Sequence, residues 1–132
     1  MIAEKTADLI IGFEPGETVR MLPYLKEGGQ VIVSSRAIMP VTATLAGSSY
    51  NGASMLEYLQ THVSNLLVVD TEKALKEIGS AKVLNILLLG AAVASGALGL
   101  TEEDIKNAIV KKLAERFHEL NFKALSYIRL HQ

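Results

Sequence analysis

The 132-residue chain contains no cysteine and no tryptophan, and aromatic residues make up only 5% of it. Without cysteine, the chain itself cannot form disulfides, thiolate metal sites, iron–sulfur ligation or a cysteine nucleophile. With so few aromatic residues, valine, isoleucine, leucine and alanine must supply the hydrophobic core. That composition is typical of a sheet whose two faces are both covered by helices.

Neither acidic nor basic residues are in clear excess, because the formal net charge is only -1. The basic residues form no dense run and are not interleaved with aromatic residues. We therefore expect neither nucleic acid nor an anionic membrane as a partner.

A long apolar run, Val83 to Leu100, has about the minimum length of a membrane span. It contains Asn85 and Ser95, so we interpret it as a helix buried within protein. The first residues lack the basic and then apolar order of a secretory signal. A cytoplasmic location is the resulting expectation.

Apolar runs alternate with helical patterns along the first part of the chain. β-Branched, continuously apolar segments indicate strands that are covered on both faces, and the remainder of the chain is predicted to be helical. The predicted strands are 8–13, 30–34 and 65–69; the predicted helices are 17–22, 53–62, 72–78, 83–97 and 115–130, with another that starts after Thr101. This order predicts an α/β, Rossmann-like parallel sheet flanked by helices, with a helical C-terminal part and a single domain over 1–132. A sheet of only three strands is small, so we expect further chain or another subunit to complete it.

Several local features accompany these elements. Lys26 to Gly29 resembles a helix stop, and 36–52 reads as an irregular connection in which 41–45 can add a short strand. Small residues such as Gly90 and Ala94 recur every four positions, which permits a close approach of a neighbouring helix. Ile105, Ala108, Ile109 and Leu113 form a predicted buried stripe.

The standard nucleotide motifs are missing. Gly12 and Gly16 do not form G-x-G-x-x-G, because Pro15 interrupts the pattern, and no G-x-x-x-x-G-K-[ST] loop is present. His62, His118 and His131 have no metal spacing and no matching serine and acid. We therefore predict no catalytic residue and no metal site in this chain.

Candidate binding residues follow the first two predicted strands, where parallel sheets gather their ligands. Gly12 and Glu14 end the first strand, and Glu14 can either orient a ligand or lead into the N-terminus of a helix, which favours acids. Ser34, Ser35 and Arg36 end the second strand and can hold a phosphate or carboxylate, or form an ordinary polar loop. Asp70 and Thr71, after the third strand, are interpreted as a helix cap.

Four segments in this order resemble the gamma subunit or gamma domain of the 2-oxoacid:ferredoxin oxidoreductases. They are ADLIIGFEPGETVRMLPYLKEGGQVIV, LLVVDTEKALKEIGSAKVLNILLLGAA, LTEEDIKNAIVKKL and LNFKALSYI. The GFEPGET junction is most similar to the beta subunit of the indolepyruvate ferredoxin oxidoreductases, which corresponds to that gamma domain. Together the segments cover nearly the whole chain.

The resemblance implies a non-catalytic subunit that supports oxidative decarboxylation of a 2-oxoacid to an acyl-coenzyme A, with electrons passed to ferredoxin. Thiamine diphosphate and iron–sulfur clusters are implied on a partner subunit, and ferredoxin is reached through the complex. The gamma part has been associated with coenzyme A in some members, and those contacts would then fall at Gly12, Glu14, Ser34, Ser35 and Arg36. A homodimer is a further possibility.

The sequence departs from the family at its beginning. Members usually start with a strand and a glycine-rich GxGGQG loop before the segment that corresponds to ADLIIGFEP. We therefore expect this chain to be the C-terminal part of a gamma-type domain. Two alternatives remain open: a pyruvate or 2-oxoglutarate oxidoreductase gamma subunit, and a Rossmann-like ligand-binding or scaffold module without a redox role. A self-sufficient dehydrogenase is disfavoured by the missing fingerprint.

Overall fold

A computed structural model describes residues 2–36 and 52–131 of the chain. The chain divides into two compact units, Met1–Val69 and Asp70–Gln132. The first unit is a small α/β unit and the second is helical. A single domain over 1–132 stays a prediction, as does a short strand at 41–45, which lies outside the described residues.

Within 2–36 and 52–69, the first unit is built on a three-stranded parallel sheet, as the sequence predicts. The strands are β1 (Ala7–Gly12), β2 (Leu25–Ser34) and β3 (Asn65–Val69), in the order β1-β2-β3. Helix α1 (Pro15–Met21) follows β1, and helix α2 (Gly52–His62) precedes β3. The predicted α/β, Rossmann-like architecture is confirmed.

The core of this unit lies between β2 and α2. Val31 and Val33 of β2 are fully buried and cluster with Leu59 and Val63. These positions alternate along β2, so both side chains lie on one face of the sheet. Ile32, on the other face, is fully buried as well. Burial on both faces explains why residues 31–33 of β2 are continuously apolar in sequence.

The prediction that Lys26 to Gly29 stops a helix is wrong, because these residues lie within β2. The first helix has already ended before them, in a short 3₁₀ helix at Leu22–Tyr24 that contains Pro23. Pairing with β1 then starts at once, since Ala7 pairs with Leu25, and the register shifts before Leu9 pairs with Gln30. Gly28 has a φ of 77°, and this left-handed residue accommodates the irregularity.

The second unit contains four α-helices in the part of the chain that is described. They are α3 (Thr71–Ile78), α4 (Leu84–Ser95), α5 (Glu102–Lys112) and α6 (His118–His131). Short 3₁₀ helices at Ala81–Val83 and Glu115–Phe117 precede α4 and α6. No helix in either described range is long and apolar enough to cross a membrane.

Helix α4 approaches α6 closely at Gly90. A Cβ atom at this position would lie 2.2 Å from the carbonyl oxygen of Leu125. Gly90 and Leu125 are both buried. The close approach predicted from the small residues of this helix is therefore confirmed at Gly90. Asn85, at the start of this helix, is exposed.

Helix α5 begins with a complete capping box. The Asp104 amide donates to Thr101 Oγ1 at 3.1 Å, and the Thr101 amide donates to Asp104 Oδ2 at 2.9 Å. The stripe predicted for this helix is only partly correct. Ile109 is buried and Ile105 is half-buried, but Ala108 and Leu113 are exposed.

Two polar pairs involve α6, and both shift pKa values. Tyr127 donates a short hydrogen bond to Glu77 Oε2. This bond, with some desolvation, raises the pKa of Tyr127 to about 12. The Arg129 guanidinium donates to Glu102 Oε1 at 2.7 Å and lowers the pKa of that carboxyl below its ordinary value. Both pairs link helices within the second unit.

Candidate functional site

The carboxyl ends of the strands bring the predicted binding residues to one edge of the sheet. Gly12 of β1 pairs with Val33 of β2, and Ser34 pairs with Val69 of β3. The Ser35 amide continues this ladder by donating to the carbonyl of Val69 at 2.8 Å. The segments 12–14 and 34–36 therefore leave adjacent strands at the same level, where parallel sheets place their ligand crevices.

Glu14 is the N-cap of α1. Its backbone is extended, and its carboxylate accepts hydrogen bonds from the Gly16 amide at 2.9 Å and the Glu17 amide at 3.3 Å. Such a cap satisfies amides that have no partner inside the helix. The carboxylate also places negative charge where an anionic ligand would otherwise bind. Glu14 therefore has the structural role that the helix N-terminus favours.

Gly12 is required by close packing against α1. A Cβ atom at Gly12 would lie 1.7 Å from Thr18 Oγ1 and 2.9 Å from Thr18 Cβ. Thr18 is almost completely buried, and its hydroxyl donates to the carbonyl of Glu14 at 2.7 Å. The missing side chain at Gly12 thus makes room for Thr18. Sequence reasoning missed Thr18, because a lone threonine in a helix gives no indication of this contact.

The chain passes from buried to exposed as it leaves β2. Ser34 is buried, and its Oγ accepts a hydrogen bond from the Arg36 amide at 3.2 Å. Ser35 is half-buried and Arg36 is exposed. A hydroxyl and a guanidinium here can form charge-assisted hydrogen bonds to a phosphate or carboxylate. Of the predicted residues, Ser35 and Arg36 are therefore the best placed to contact a ligand.

Asp70, which follows β3, caps α3. Its Oδ1 accepts a hydrogen bond from the Lys73 amide at 3.1 Å, and Gly79 ends the helix with a left-handed φ of 98°. The interpretation of Asp70 as a cap is confirmed.

The three histidines each bind backbone nearby in sequence. His62 Nδ1 contacts the Tyr58 carbonyl, His118 Nε2 contacts the Leu113 carbonyl, and His131 Nδ1 contacts the Tyr127 carbonyl, each at 2.8 Å. Within 2–36 and 52–131, no group of three or more His, Asp or Glu side chains could hold a metal ion. The histidines therefore act as local backbone partners.

A separate concavity lies at the opposite edge of the sheet, near the amino ends of β2 and β3. Its volume is about 700 Å³, and its lining includes Leu22, Lys26, Gly28, Tyr58 and His62. Tyr58 and His62 stack with ring centroids 3.9 Å apart. None of the predicted binding residues contributes to this concavity, so its volume gives no support to the candidate site.

Residues 1–129 match the family model of pyruvate ferredoxin/flavodoxin oxidoreductase. The chain is 31% identical over 126 residues to the indolepyruvate oxidoreductase subunit IorB of Pyrococcus horikoshii, covering 94% of this chain and 62% of that protein. It is 30% identical over 126 residues to the subunit of the same name from Thermococcus kodakarensis, with the same two coverages. The corresponding Methanothermobacter thermautotrophicus subunit is 26% identical over 125 residues, which are 94% of this chain and 64% of that protein. The chain thus spans less than two thirds of the length of these relatives.

Proposed function

The chain belongs to the pyruvate ferredoxin/flavodoxin oxidoreductase family, and from this membership we propose that it is part of a small, gamma-type subunit of an indolepyruvate ferredoxin oxidoreductase. The observation that carries the proposal is the family match over almost the whole chain. Relatives that carry the indolepyruvate name, at 25–31% identity, support the choice of 2-oxoacid.

In this proposal the partner subunit carries the reactive groups and this chain is not catalytic alone. The chain has no cysteine, so thiolate-held iron–sulfur clusters must be bound elsewhere. Thiamine diphosphate on the partner supplies the decarboxylation chemistry, the acyl group passes to coenzyme A, and the electrons pass through the clusters to ferredoxin. This chain contributes a packed α/β surface.

The family description names pyruvate, so pyruvate is the alternative 2-oxoacid for the same architecture. The cytoplasmic location, the homodimer and access to ferredoxin through the complex remain predictions. If no oxidoreductase partner binds, the result favours the alternative function, a Rossmann-like scaffold without a redox role.

Assembly with a thiamine- and cluster-carrying subunit tests the proposal directly. We expect the full-length protein, co-expressed with that subunit from the same organism, to co-elute with it on size exclusion. The purified complex should reduce ferredoxin when indolepyruvate and coenzyme A are supplied. Each subunit alone is the control, and neither should give this turnover. Separate elution of the two proteins would contradict the proposal, as would full activity of the large subunit alone.

We also propose that coenzyme A contacts the end of β2, through Ser34, Ser35 and Arg36. The chemistry of the donors supports this choice, because the hydroxyl of Ser35 and the guanidinium of Arg36 suit the phosphates of coenzyme A. Contacts of coenzyme A with Gly12 and Glu14 stay predictions. The packing at the end of β1 leaves little room for such contacts. Thr18 fills the space beside Gly12, and the Glu14 carboxylate accepts from the first amides of α1.

Replacing Arg36 with alanine in the assembled enzyme should raise the KM for coenzyme A about 10- to 100-fold, since a charge-assisted hydrogen bond contributes about 1.5–3 kcal/mol. The KM for the 2-oxoacid should not change. Arg20→Ala is the matched control, because Arg20 is an exposed arginine of the same unit that pairs with Glu17 at 2.8 Å. An unchanged KM for coenzyme A in Arg36→Ala would rule out this contact.

A further inference from the structure

We propose that an exposed ridge at the junction of α5 and α6 docks an acidic, partly apolar surface of the cofactor-bearing partner subunit. This inference rests on the function proposed above and adds which face of the chain meets the partner. The ridge consists of Val110, Leu113 and Phe117, with Lys111, Lys112 and Arg116 beside them.

The ridge exposes three large apolar side chains. Val110 is 54% exposed, Leu113 is 38% exposed and Phe117 is 43% exposed. Every residue from Val110 to Phe117 is exposed. Single exposed apolar residues are ordinary, but three within eight residues of chain make this stretch a candidate for a protein interface.

Leu113 is one of two positions, with Ala108, at which the stripe predicted for α5 is exposed, and it is the larger side chain. The spacing of Ile105, Ile109 and Leu113 predicts that all three side chains are buried. The structure buries Ile109 but leaves Leu113 exposed. Mismatches of this kind are expected at functional surfaces, where an apolar residue is kept for a partner and not for the chain's own core.

The backbone of the ridge is held in one conformation by hydrogen bonds. The Leu113 amide donates to the Ile109 carbonyl at 2.9 Å, and the Phe117 amide donates to the Ala114 carbonyl at 2.9 Å. The His118 ring contacts the Leu113 carbonyl at 2.8 Å. A surface that is already ordered loses less conformational entropy on binding, which favours docking.

Charge complementarity indicates that the partner surface is acidic. In a chain of net charge -1, residues 106–123 hold five cations, namely Lys106, Lys111, Lys112, Arg116 and Lys123, against two acids, Glu115 and Glu119. Arg116 lies over the Phe117 ring at 4.8 Å. The ion pairs found within the described residues use none of these five cations. Lys106 does interact with Glu102, since it helps to lower the pKa of that carboxyl. An acidic partner would therefore meet mainly the cations of the ridge itself, Lys111, Lys112 and Arg116.

A protein partner fits this ridge better than nucleic acid or a membrane. Glu115 interrupts the cations, and phosphate-binding surfaces are usually basic throughout. The apolar residues straddle a helix junction, whereas membrane-surface helices present one long apolar face along a single helix. Three apolar side chains among cations match the core and rim of a protein interface.

The test uses the full-length protein, its thiamine- and cluster-carrying partner, and the double variant Leu113→Ser, Phe117→Ser. Both side chains are exposed, so the fold should be retained, which circular dichroism checks. The Kd for the partner should rise about 10- to 100-fold, as expected for loss of central interface residues.

The variant Lys111→Gln, Lys112→Gln should make the Kd for the partner less sensitive to salt. Leu130→Ser is the control, because Leu130 is 64% exposed but lies about 20 Å from Phe117 along α6, and its Kd should not change.

The outcomes separate this inference from the function it rests on. If the wild-type complex forms and Leu113→Ser, Phe117→Ser binds equally well, the ridge is not the docking face, while the proposed function stands. If the wild-type proteins do not associate, both proposals fail.

Amide hydrogen exchange adds a second measurement. The amides of Leu113 and Phe117 are already hydrogen-bonded within the chain, so exchange over 110–118 should slow further when the partner is added, and exchange that is unchanged in the complex would overturn the inference. Binding of phosphatidylserine vesicles that the double variant abolishes, with the partner Kd unchanged, would assign the ridge to a membrane surface instead.

Discussion

Gly90→Ala should destabilise the second unit by about 2 kcal/mol, even though alanine is the better helix former by about 1 kcal/mol. The added Cβ would lie 2.2 Å from the Leu125 carbonyl oxygen. That oxygen belongs to the backbone of α6, so no side-chain rotation can relieve the clash and the two helices must separate. Overpacking of this kind typically costs about 1–3 kcal/mol, and contact with backbone places the cost at the upper end of this range. The better helix propensity of alanine offsets about 1 kcal/mol, which leaves a net loss of about 2 kcal/mol. Urea denaturation followed by circular dichroism measures the loss.

The exposed position Ala94 in the same helix provides a matched control for Gly90. Ala94→Gly changes the same two residue types in the opposite direction, without a close neighbour to consider. It should lower the free energy of unfolding by about 1 kcal/mol, through helix propensity alone. Alanine should therefore be preferred at 94 and glycine at 90. Equal or greater stability of Gly90→Ala would show that α4 and α6 are not packed this closely.

Gly12→Ala is expected to have an effect of similar or larger size in the first unit. Its Cβ would lie 1.7 Å from Thr18 Oγ1, which is itself buried and hydrogen-bonded to the Glu14 carbonyl. Thr18 cannot rotate away without losing that bond in the interior. We expect a loss of about 3 kcal/mol, again measured by urea denaturation.

A double-mutant cycle with Thr18→Ala tests whether the Thr18 contact is the cause. Thr18→Ala alone should cost about 1–2 kcal/mol, because it removes a buried hydrogen bond and a methyl group. In Gly12→Ala, Thr18→Ala the closest atom is gone and only the contact with Cβ, at 2.9 Å, remains. The double variant should therefore be more stable than the sum of the single losses, by about 1 kcal/mol or more. Strict additivity would mean that Gly12 is needed for another reason.

Much of the architecture could be predicted because it depends on neighbours in the sequence. Continuous apolar runs such as 66–69 indicate strands. Asp70 and Thr101 begin helices through hydrogen bonds to amides three residues later, and such caps can be read directly from the sequence. The alternation of strand and helix then leaves few topologies for a parallel sheet.

The structure brings the candidate residues to one edge of the sheet, and their role as a binding site stays a prediction. The parallel order fixes that segments 12–14 and 34–36 leave the sheet at one edge, so this could be expected from the sequence. The sequence could not show whether the Glu14 carboxylate is available to a ligand, because a carboxylate at this position can either bind a ligand or cap α1. The structure decides for the cap, through hydrogen bonds to Gly16 and Glu17. The approach of Thr18 to Gly12 depends on the angle between β1 and α1, which local patterns do not contain.

The sequence alone determined that this chain has no thiolate chemistry, that its strands are apolar, that helices follow them and where most helices begin. These properties depend on composition and on interactions that span a few residues. The tertiary structure decided that β2 begins at Leu25, that Gly90 must be small, and that Leu113 is exposed while Ile109 is buried. Each of these depends on which distant segment packs against the residue. A periodic pattern shows which side of a helix is apolar, but only the packing of the whole unit decides how much of that side is covered.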